Sequence, residues 1–206
     1  MVFSEAAHVA PHVARRAAFY AVIACWWIFL LTFWLRKRPP RAREAKRDRT
    51  SLIGMLLQVV AYFIVWFHPL QRKTFSPVAF ASPAVEWGLA VLTVAIAVAS
   101  TWLVNAAARR LGKHWALTAR VVEGHTLIQG GPYRFVRNPI YTGMFGMLLA
   151  TGLAMTQWIP LLIAMVLFAA GTWIRIRSEE RLLREAFGSE FDAYARKVPA
   201  LIPGVY

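Results

Sequence analysis

Residues 130–143, with the sequence GGPYRFVRNPIYTG, interrupt a chain that is otherwise apolar enough to lie in a membrane. This stretch packs three glycines, two prolines, two tyrosines and two arginines into fourteen residues. A polar segment broken by glycine and proline is costly at membrane depth unless it lines a site or cavity. The stretch therefore predicts both a boundary between membrane helices and the place of a functional site.

The composition of the whole chain is typical of a protein that crosses a membrane several times. Hydrophobic residues make up 58% of the 206 residues, and charged residues only 17%, against the usual ~25% for soluble domains. The mean hydropathy is +0.47. The net charge of +14 falls in short runs between apolar stretches, as in loops beside anionic lipid rather than in nucleic-acid-binding proteins. We expect integral membrane localisation and no nucleic-acid partner.

Apolar runs predict an all-α polytopic bundle of about five transmembrane helices. Several runs are shorter than the ~20 residues that cross a bilayer untilted. The runs cover about Ala17–Leu35, Leu52–Phe67, Ala84–Val104, Ile140–Met155 and Trp158–Ile174. Only a short corner separates the last two, which predicts a tight helical hairpin that small residues would let pack closely. These small residues are Gly143, Gly146, Ala150 and Gly152.

The basic residues predict how the bundle is oriented. Eight Lys/Arg lie in 36–49, two in 69–83, six in 106–138, none in the corner after the fourth span, and six after residue 174. Because cytoplasmic loops carry the excess of Lys and Arg, the N-terminus is expected outside and the C-terminus in the cytoplasm. The Arg/Ala-rich composition suggests a bacterial inner membrane. Residues 107–112 are interpreted as the basic end of the third helix, and 114–129 as an irregular loop with a short extended piece.

The domain organisation expected from these runs is a single membrane-embedded domain over residues 1–206. Three spans would occupy 17–105, and a catalytic loop, a helical hairpin and a tail would occupy 106–206. The sequence has no P-loop, no dinucleotide-binding glycine fingerprint and no Cys/His cluster with metal-ligand spacing, so no metal is expected. The single cysteine, Cys25, lies in an apolar run and is interpreted as a small buried hydrophobic residue.

Polar groups concentrate at the open end of the expected hairpin. Arg137, Asn138 and Tyr141 lie at the entry to the fourth span. Arg175 and Glu179, at the exit of the fifth, are four residues apart and so share one helix face. The two groups should meet there and form a small-ligand site. A structural alternative is also open, because Asn138 followed by proline is a typical helix N-cap with Pro at the first helical position.

Three sequence elements, in the same order and spacing, resemble those of a known family. The first is Gly131-Pro132-Tyr133 followed by Arg137-Asn138-Pro139-Ile140-Tyr141-Thr142-Gly143, the second is Arg175-Ile176-Arg177-Ser178-Glu179-Glu180, and the third is the tail from Phe187 to Pro199. Together with the preceding His125-Thr126-Leu127, they resemble the isoprenylcysteine carboxyl methyltransferase family over about 125–199. Asn138 stands where eukaryotic members have His, and Phe191 replaces the first tyrosine of the tail.

The resemblance implies an integral membrane enzyme that uses S-adenosylmethionine to methylate the carboxylate of an isoprenylcysteine-like or other lipid. We assign Arg175 first, and Arg137 second, to the acceptor carboxylate, because the guanidinium fork pairs with it bidentately; Asn138 and Tyr141 would complete the catalytic wall. The cofactor site would comprise His125, Thr126, Leu127, Gly131, Tyr133, Asn138, Pro139, Tyr141, Glu179 and Glu180.

Other functions are compatible with the same residues. A sterol-type membrane reductase shares a similar Arg-x-Pro-x-Tyr run and tail but uses NADPH. A lipid amine is an alternative methyl acceptor. A non-catalytic membrane adaptor or carrier is a third class. Under each of the enzyme hypotheses, the partner is a lipophilic or prenylated molecule from the bilayer. The sequence leaves the oligomeric state open.

Overall fold

The structure is a computed structural model that describes residues 2–34, 44–47, 50–67, 83–112, 120–122, 127–155, 158–202 and 204. Within these ranges the chain forms a helical bundle with one small sheet. The helices are α1 (Val2–Trp34), α2 (Thr50–Phe67), α3 (Pro83–Leu111), α4 (Pro139–Met155), α5 (Trp158–Phe187) and α6 (Ser189–Lys197). Strands β1 (Glu44–Arg47) and β2 (Arg120–Val122) pair antiparallel. A 3-10 helix over Gly131–Arg134 precedes α4.

Among the residues that the structure describes, four helices are long and apolar enough to cross a membrane, judged by length and composition. They are Val13–Thr32 within α1, Thr50–Phe67, Ala84–Leu111 and Trp158–Phe187. The remaining apolar helix, α4, has 17 residues, which at 1.5 Å each make it about 26 Å long, somewhat less than the ~30 Å hydrocarbon core of a bilayer. The predicted helical membrane bundle is confirmed, and its fourth expected span is the short one.

The bundle places apolar side chains on its outside and polar ones within. Trp27, Leu56 and Val166 are 65%, 62% and 68% exposed, whereas Gln58 and Thr151 are 2% and 0% exposed. A soluble bundle of this size would show the opposite arrangement, since its apolar face turns inward. Such a surface needs lipid around it, and it supports an integral membrane protein.

Helix α4 is central, because it contacts α1, α2, α3 and α5. It packs mainly against α3, while α5 packs mainly against α2. A Cβ atom added at Gly143 would lie 2.5 Å from Cγ2 of Val104 and 2.9 Å from the Ser100 carbonyl oxygen, both on α3. For Gly143 and Gly146, the expectation that small residues serve a tight α4–α5 hairpin was therefore wrong. They allow close approach to α3 instead, although Gly152 does lie against Leu161 of α5.

Polar side chains tie these helices together across the interior. The Trp26 indole nitrogen of α1 donates to the Thr151 hydroxyl of α4 at 2.9 Å, and the Tyr62 hydroxyl of α2 donates to the Met144 carbonyl of α4 at 2.7 Å. Lipid provides no hydrophobic force between helices, so packing and such hydrogen bonds hold a membrane bundle together. Both bonds fix α4 against its neighbours.

Several helices extend beyond their apolar runs. Helix α1 begins at Val2 rather than near Ala17. Helix α3 continues to Leu111 with Arg109 and Arg110 in its last turn, which confirms the basic helix end. Helix α5 runs unbroken to Phe187, and Gly188, with φ of 52°, makes the left-handed turn into α6 that glycine adopts without strain. The extended piece expected in 114–129 is β2; its pairing with β1 was not predicted.

Candidate functional site

The beginning of α4 and the polar part of α5 meet at one end of the bundle. The Tyr141 hydroxyl of α4 donates a hydrogen bond to Oε1 of Glu179. Nη2 of Arg175 lies 3.8 Å from the same oxygen, and the Arg175 guanidinium carbon lies 5.1 Å from the centre of the Tyr141 ring. Arg175 is only 7% exposed. The expected meeting of the two polar groups is thus observed, and it forms around a buried cation.

A residue of α2 completes this group, although no motif assigned it. Nη1 of Arg175 donates to Oε1 of Gln58 at 3.2 Å, and Nε2 of Gln58 donates to the Thr172 hydroxyl at 2.8 Å. The only sequence signal for Gln58 was its polarity inside an apolar run. We name the set Arg175, Glu179, Tyr141 and Gln58 the arginine cluster.

Arg137 connects α5, α6 and the segment 198–202 that follows α6, called the C-terminal segment below. Its Nε donates to Oε1 of Glu180 at 2.8 Å, and its Nη1 donates to the carbonyl oxygens of Ala195, at 2.8 Å, and of Val198. Both side chains of the ion pair are largely buried, at 14% and 15% exposed. Arg137 and Glu180 therefore bind each other, and Arg137 also holds the end of α6 in place.

The segment after α6 runs along the first turn of α4. The Asn138 backbone N–H and the side-chain Nδ2 both donate to the Ala200 carbonyl, at 3.0 and 3.1 Å. The Thr142 hydroxyl donates to the Leu201 carbonyl at 2.8 Å. Pro139 is the first residue of α4, as its fixed φ and missing N–H favour. Asn138 is thus the residue immediately before the helix, and its side-chain amide nitrogen anchors the C-terminal segment.

The segment 127–138 before α4, called the loop below, is held by α6. Gly131 has φ of 66°, a left-handed conformation that glycine adopts without strain. Tyr133 is buried at 7% exposure, and its carbonyl accepts a hydrogen bond of 2.5 Å from the Tyr194 hydroxyl. Leu127 packs against the buried Phe191, Tyr194 and Val198. The Phe191 ring packs in this cluster, so its replacement of a tyrosine is conservative.

A groove of about 400 Å³ lies beside this loop. It is lined by Arg110, Leu111, Gly112, Leu127, Ile128, Gln129 and Gly130. Nη2 of Arg110 would lie 2.5 Å from a Cβ atom added at Gly130, so the guanidinium rests directly on the glycine backbone. The sequence pattern predicts Arg110 only as part of the basic end of a helix. Among the described residues, the members of the arginine cluster do not line this groove.

The expected site residues therefore fall into three connected groups. The arginine cluster contains Tyr141, Arg175 and Glu179, and the adjacent Glu180 leads to Arg137, with Asn138 and Pro139. Leu127, Gly131 and Tyr133 belong to the loop, which Tyr194 joins to α6. His125 and Thr126 lie outside the residues that the structure describes.

Replacing Tyr194 by phenylalanine is expected to loosen the loop from α6. Loss of its hydroxyl removes the donor to the Tyr133 carbonyl and should lower the free energy of unfolding by about 1 kcal/mol or more. Tyr20→Phe, in which the side chain is 66% exposed, is the control and should be neutral. Chemical unfolding of the detergent-solubilised protein measures both; equal stability of Tyr194→Phe and wild type would contradict the role of this bond.

The same bond has a defined pH dependence. Burial raises the pKa of the Tyr194 phenol from 10.0 to about 12. Because the protonated phenol is the donor, the stabilisation should be complete below pH 10 and lost as the pH rises through 12. Tyr194→Phe should lack this contribution to the alkaline loss of stability.

Comparisons with known proteins place the chain among membrane methyltransferases. The family model for phospholipid methyltransferase matches residues 88–190. A protein-S-isoprenylcysteine O-methyltransferase of Schizosaccharomyces pombe is 36% identical over 80 residues, covering 38% of this chain and 34% of that protein. The nickel-cobalt-cadmium resistance protein NccN of Alcaligenes xylosoxydans xylosoxydans is 39% identical over 95 residues, covering 45% of this chain and 44% of that protein.

A solved structure is also similar in part. The eukaryotic intramembrane Ras methyltransferase ICMT (isoprenylcysteine carboxyl methyltransferase) aligns at 21% identity and a TM-score of 0.45, over 78% of this chain and 55% of that chain. The chain spans less than half the length of the two curated relatives above. Because the family model covers half of the 206 residues and includes the loop, α4, α5 and the start of α6, the chain belongs to the phospholipid methyltransferase family.

Proposed function

We propose that this chain is an S-adenosylmethionine-dependent methyltransferase that methylates the carboxylate of a lipophilic acceptor at the membrane boundary. The observation that carries the proposal is the arginine cluster, in which a buried guanidinium lies beside a tyrosine ring and a carboxylate at one end of an apolar bundle. Buried ionisable groups in membrane bundles commonly mark substrate sites. Family membership supplies the methyl-transfer chemistry.

The reaction needs little proton chemistry from the protein. When bound, S-adenosylmethionine supplies an electrophilic methyl group on a sulfonium; a carboxylate oxygen forms the new C–O bond as the C–S bond breaks, leaving a neutral thioether and a methyl ester. A carboxylate with a pKa near ~4 is already ionised at neutral pH. The residues therefore have to orient the acceptor and exclude water.

Arg175 is the residue best suited to hold the acceptor carboxylate. It is buried, and its fork can bind two oxygens. Arg137, the second candidate, already donates to Glu180 and to two backbone carbonyls. Its bonds to the backbone favour a structural role for Arg137, whereas Arg175 contacts the side chains of Gln58 and Glu179 in the interior of the bundle. Tyr141, against Arg175 and Glu179, would form the adjoining wall.

The residues around the loop suit an adenosine-containing cofactor. The groove has the size of typical ligand pockets, and the Arg110 guanidinium, which lies against the Gly130 backbone beside Gly131, would form part of its wall. Leu127 and Tyr133 would add apolar surface. Glu179 or Glu180 would accept hydrogen bonds from the ribose hydroxyls or bind the α-amino group, and Asn138 and Pro139 would border that part of the site.

The acceptor would come from the bilayer, and the cofactor from the cytoplasm. The apolar exterior of the bundle supports the first half of this proposal. The basic loops support a cytoplasmic C-terminus, and hence a site at the inner face of a bacterial inner membrane. An isoprenylcysteine-like carboxylate is the proposed acceptor class.

A lipid amine is the second candidate acceptor, favoured by the family description. The Glu179 carboxylate, which contacts Tyr141 and Arg175, could attract an ammonium headgroup. An ammonium must lose a proton before it can attack a methyl group, whereas a carboxylate need not. The nature of the methylated atom therefore separates the two candidates.

Ligand-induced stabilisation tests the cofactor. S-adenosylhomocysteine at 100 times its Kd should stabilise the detergent-solubilised protein by about 2.7 kcal/mol, seen as a rise in Tm, whereas NADPH should leave the Tm unchanged. Glu180→Ala should reduce the shift, and Arg177→Ala, an exposed arginine over the Trp173 ring, should keep it. Stabilisation by NADPH alone would contradict the proposal and favour the reductase.

A further inference from the structure

We propose that Gln58 is a positioning residue for Arg175, and that its neutral amide sets the recognition of an anionic acceptor. The inference rests on the proposed function. Gln58 lies on α2, outside the residues 88–190 that the family model matches. It would extend the active site to a helix that carries none of the family motifs.

The burial of Gln58 is the first observation. It is 2% exposed in the middle of an otherwise apolar helix. Burying an amide in an apolar environment costs several kcal/mol unless both its donor and its acceptor are used. An apolar side chain would span the α2–α5 contact at no such cost. A buried amide at this position therefore indicates a role in binding and orienting other polar groups.

The hydrogen bonds define how the amide is turned. Nε2 donates to the Thr172 hydroxyl at 2.8 Å, so Oε1 points to the other neighbour and accepts from Nη1 of Arg175 at 3.2 Å. Thr172 and Arg175 are three residues apart on one face of α5. The hydrogen bond to Thr172 thus orients the amide so that its oxygen faces Arg175.

The backbones of α2 and α5 touch each other close to the hydrogen bond between Gln58 and Arg175. A Cβ atom at Gly54 would lie 2.5 Å from the Gly171 carbonyl oxygen and 2.6 Å from Cγ of Arg175. Gly54 and Gln58 are four residues apart and share a face of α2. The close crossing leaves Gln58 little freedom to move away from Arg175.

The guanidinium is therefore contacted from three helices. Gln58 approaches from α2, the Tyr141 ring from α4 at 5.1 Å, and Glu179 from its own helix at 3.8 Å. Glu179 is the charged group of the set that could neutralise Arg175. A neutral amide orients the guanidinium without adding a second negative charge beside that of Glu179, which would weaken the attraction of Arg175 for an acceptor carboxylate.

The kinetic test uses Gln58→Glu, which keeps an oxygen for Arg175 but adds a negative charge, and Gln58→Met, which removes both hydrogen-bonding groups. With N-acetyl-S-farnesylcysteine as acceptor, KM should rise about tenfold or more in both variants. The Kd of S-adenosylhomocysteine should stay within about twofold, since the hydrogen-bond partners of Gln58 are Thr172 and Arg175 and not the proposed cofactor residues. Thr172→Val should show a smaller rise. Thr93→Val, a buried hydroxyl that bonds within its own helix, should show none.

A spectroscopic readout works whatever the acceptor. Arginine side-chain NMR of the labelled protein should show hindered rotation of the Arg175 guanidinium, assigned with Arg175→Lys, and Gln58→Met should release it. Unchanged rotation in Gln58→Met would overturn the positioning role, and so would an acceptor KM that stays at the wild-type value. If rotation is released while the wild type methylates no carboxylate, the proposed acceptor fails and the positioning role stands.

Discussion

Gly171→Ala is expected to separate α2 from α5 and to remove most of the methyl-transfer activity. The added Cβ atom would lie 2.5 Å from the Gly54 carbonyl oxygen and 3.2 Å from Cγ of Gln58. Alanine gains about 1 kcal/mol over glycine in helix propensity, but a clash with backbone can be relieved only by moving a helix, and overpacking costs about 1–3 kcal/mol. Since Arg175 is one turn away, its geometry should change as well.

The matched control for this prediction is Gly88→Ala in α3. A Cβ atom at Gly88 meets nothing within 4 Å, so this variant should keep wild-type stability and turnover. Unfolding in denaturant and turnover with labelled cofactor measure both effects. If Gly171→Ala were as stable and active as Gly88→Ala, the α2–α5 crossing would not control the site.

Arg175→Ala is expected to show the largest catalytic loss of any single side chain. Truncating one partner of a buried, hydrogen-bonded charge pair commonly costs about 2 kcal/mol or more, so kcat/KM for the acceptor should fall roughly 30-fold or further. Arg175→Lys should recover only part of the loss, because an ammonium keeps the charge but lacks the planar fork. Steady-state kinetics at saturating cofactor measures the effect.

Arg177→Ala provides the control on the same helix. Arg177 is exposed and lies over the Trp173 ring at 4.4 Å, so its removal should leave acceptor kinetics nearly unchanged. If Arg175→Ala and Arg177→Ala lowered kcat/KM for the acceptor equally, acceptor binding would depend on the overall positive charge of the helix rather than on the buried guanidinium of Arg175. That result would remove Arg175 from the site.

Local sequence signals predicted the parts of the fold that depend on local physics. Apolar runs located α2 and the starts of α4 and α5 to within about two residues, because a membrane helix must be apolar over most of its length. Pro139 marked the first turn of α4 for the reason that proline has no N–H. Chain connectivity alone suggested that Tyr141 and Glu179 would meet.

The choice of packing partner could not be predicted in the same way. Lipid-facing and helix-facing surfaces are both apolar, so hydropathy does not tell which helix lies against which. Gly143 was therefore assigned to the neighbour in sequence, α5, although it contacts Val104 of α3. The contact between Gln58 and Arg175 joins residues 117 positions apart and depends on the Gly54–Gly171 crossing.

The C-terminal segment was also beyond sequence reasoning. Its contacts with α4 use backbone carbonyls of Ala200 and Leu201, and any residue has such a carbonyl. Arg137 looked like a catalytic candidate because arginines bind carboxylates. Its observed partners include one carboxylate, that of Glu180, and two carbonyls of the chain itself. The arginine side chain correctly indicated that Arg137 binds a carboxylate, but only the tertiary structure determines which carboxylate that is.

The most direct test of the central claim is the chemical nature of the transferred methyl group. Membranes containing the full chain, together with N-acetyl-S-farnesylcysteine or the host's own lipids, are incubated with S-adenosylmethionine labelled in its methyl group, and the lipid product is treated with alkali. A carboxyl methyl ester hydrolyses and releases volatile labelled methanol, and the label should be absent with Arg175→Ala. Label that stays in an alkali-stable lipid amine, or no labelled lipid with the wild-type protein, would contradict the account.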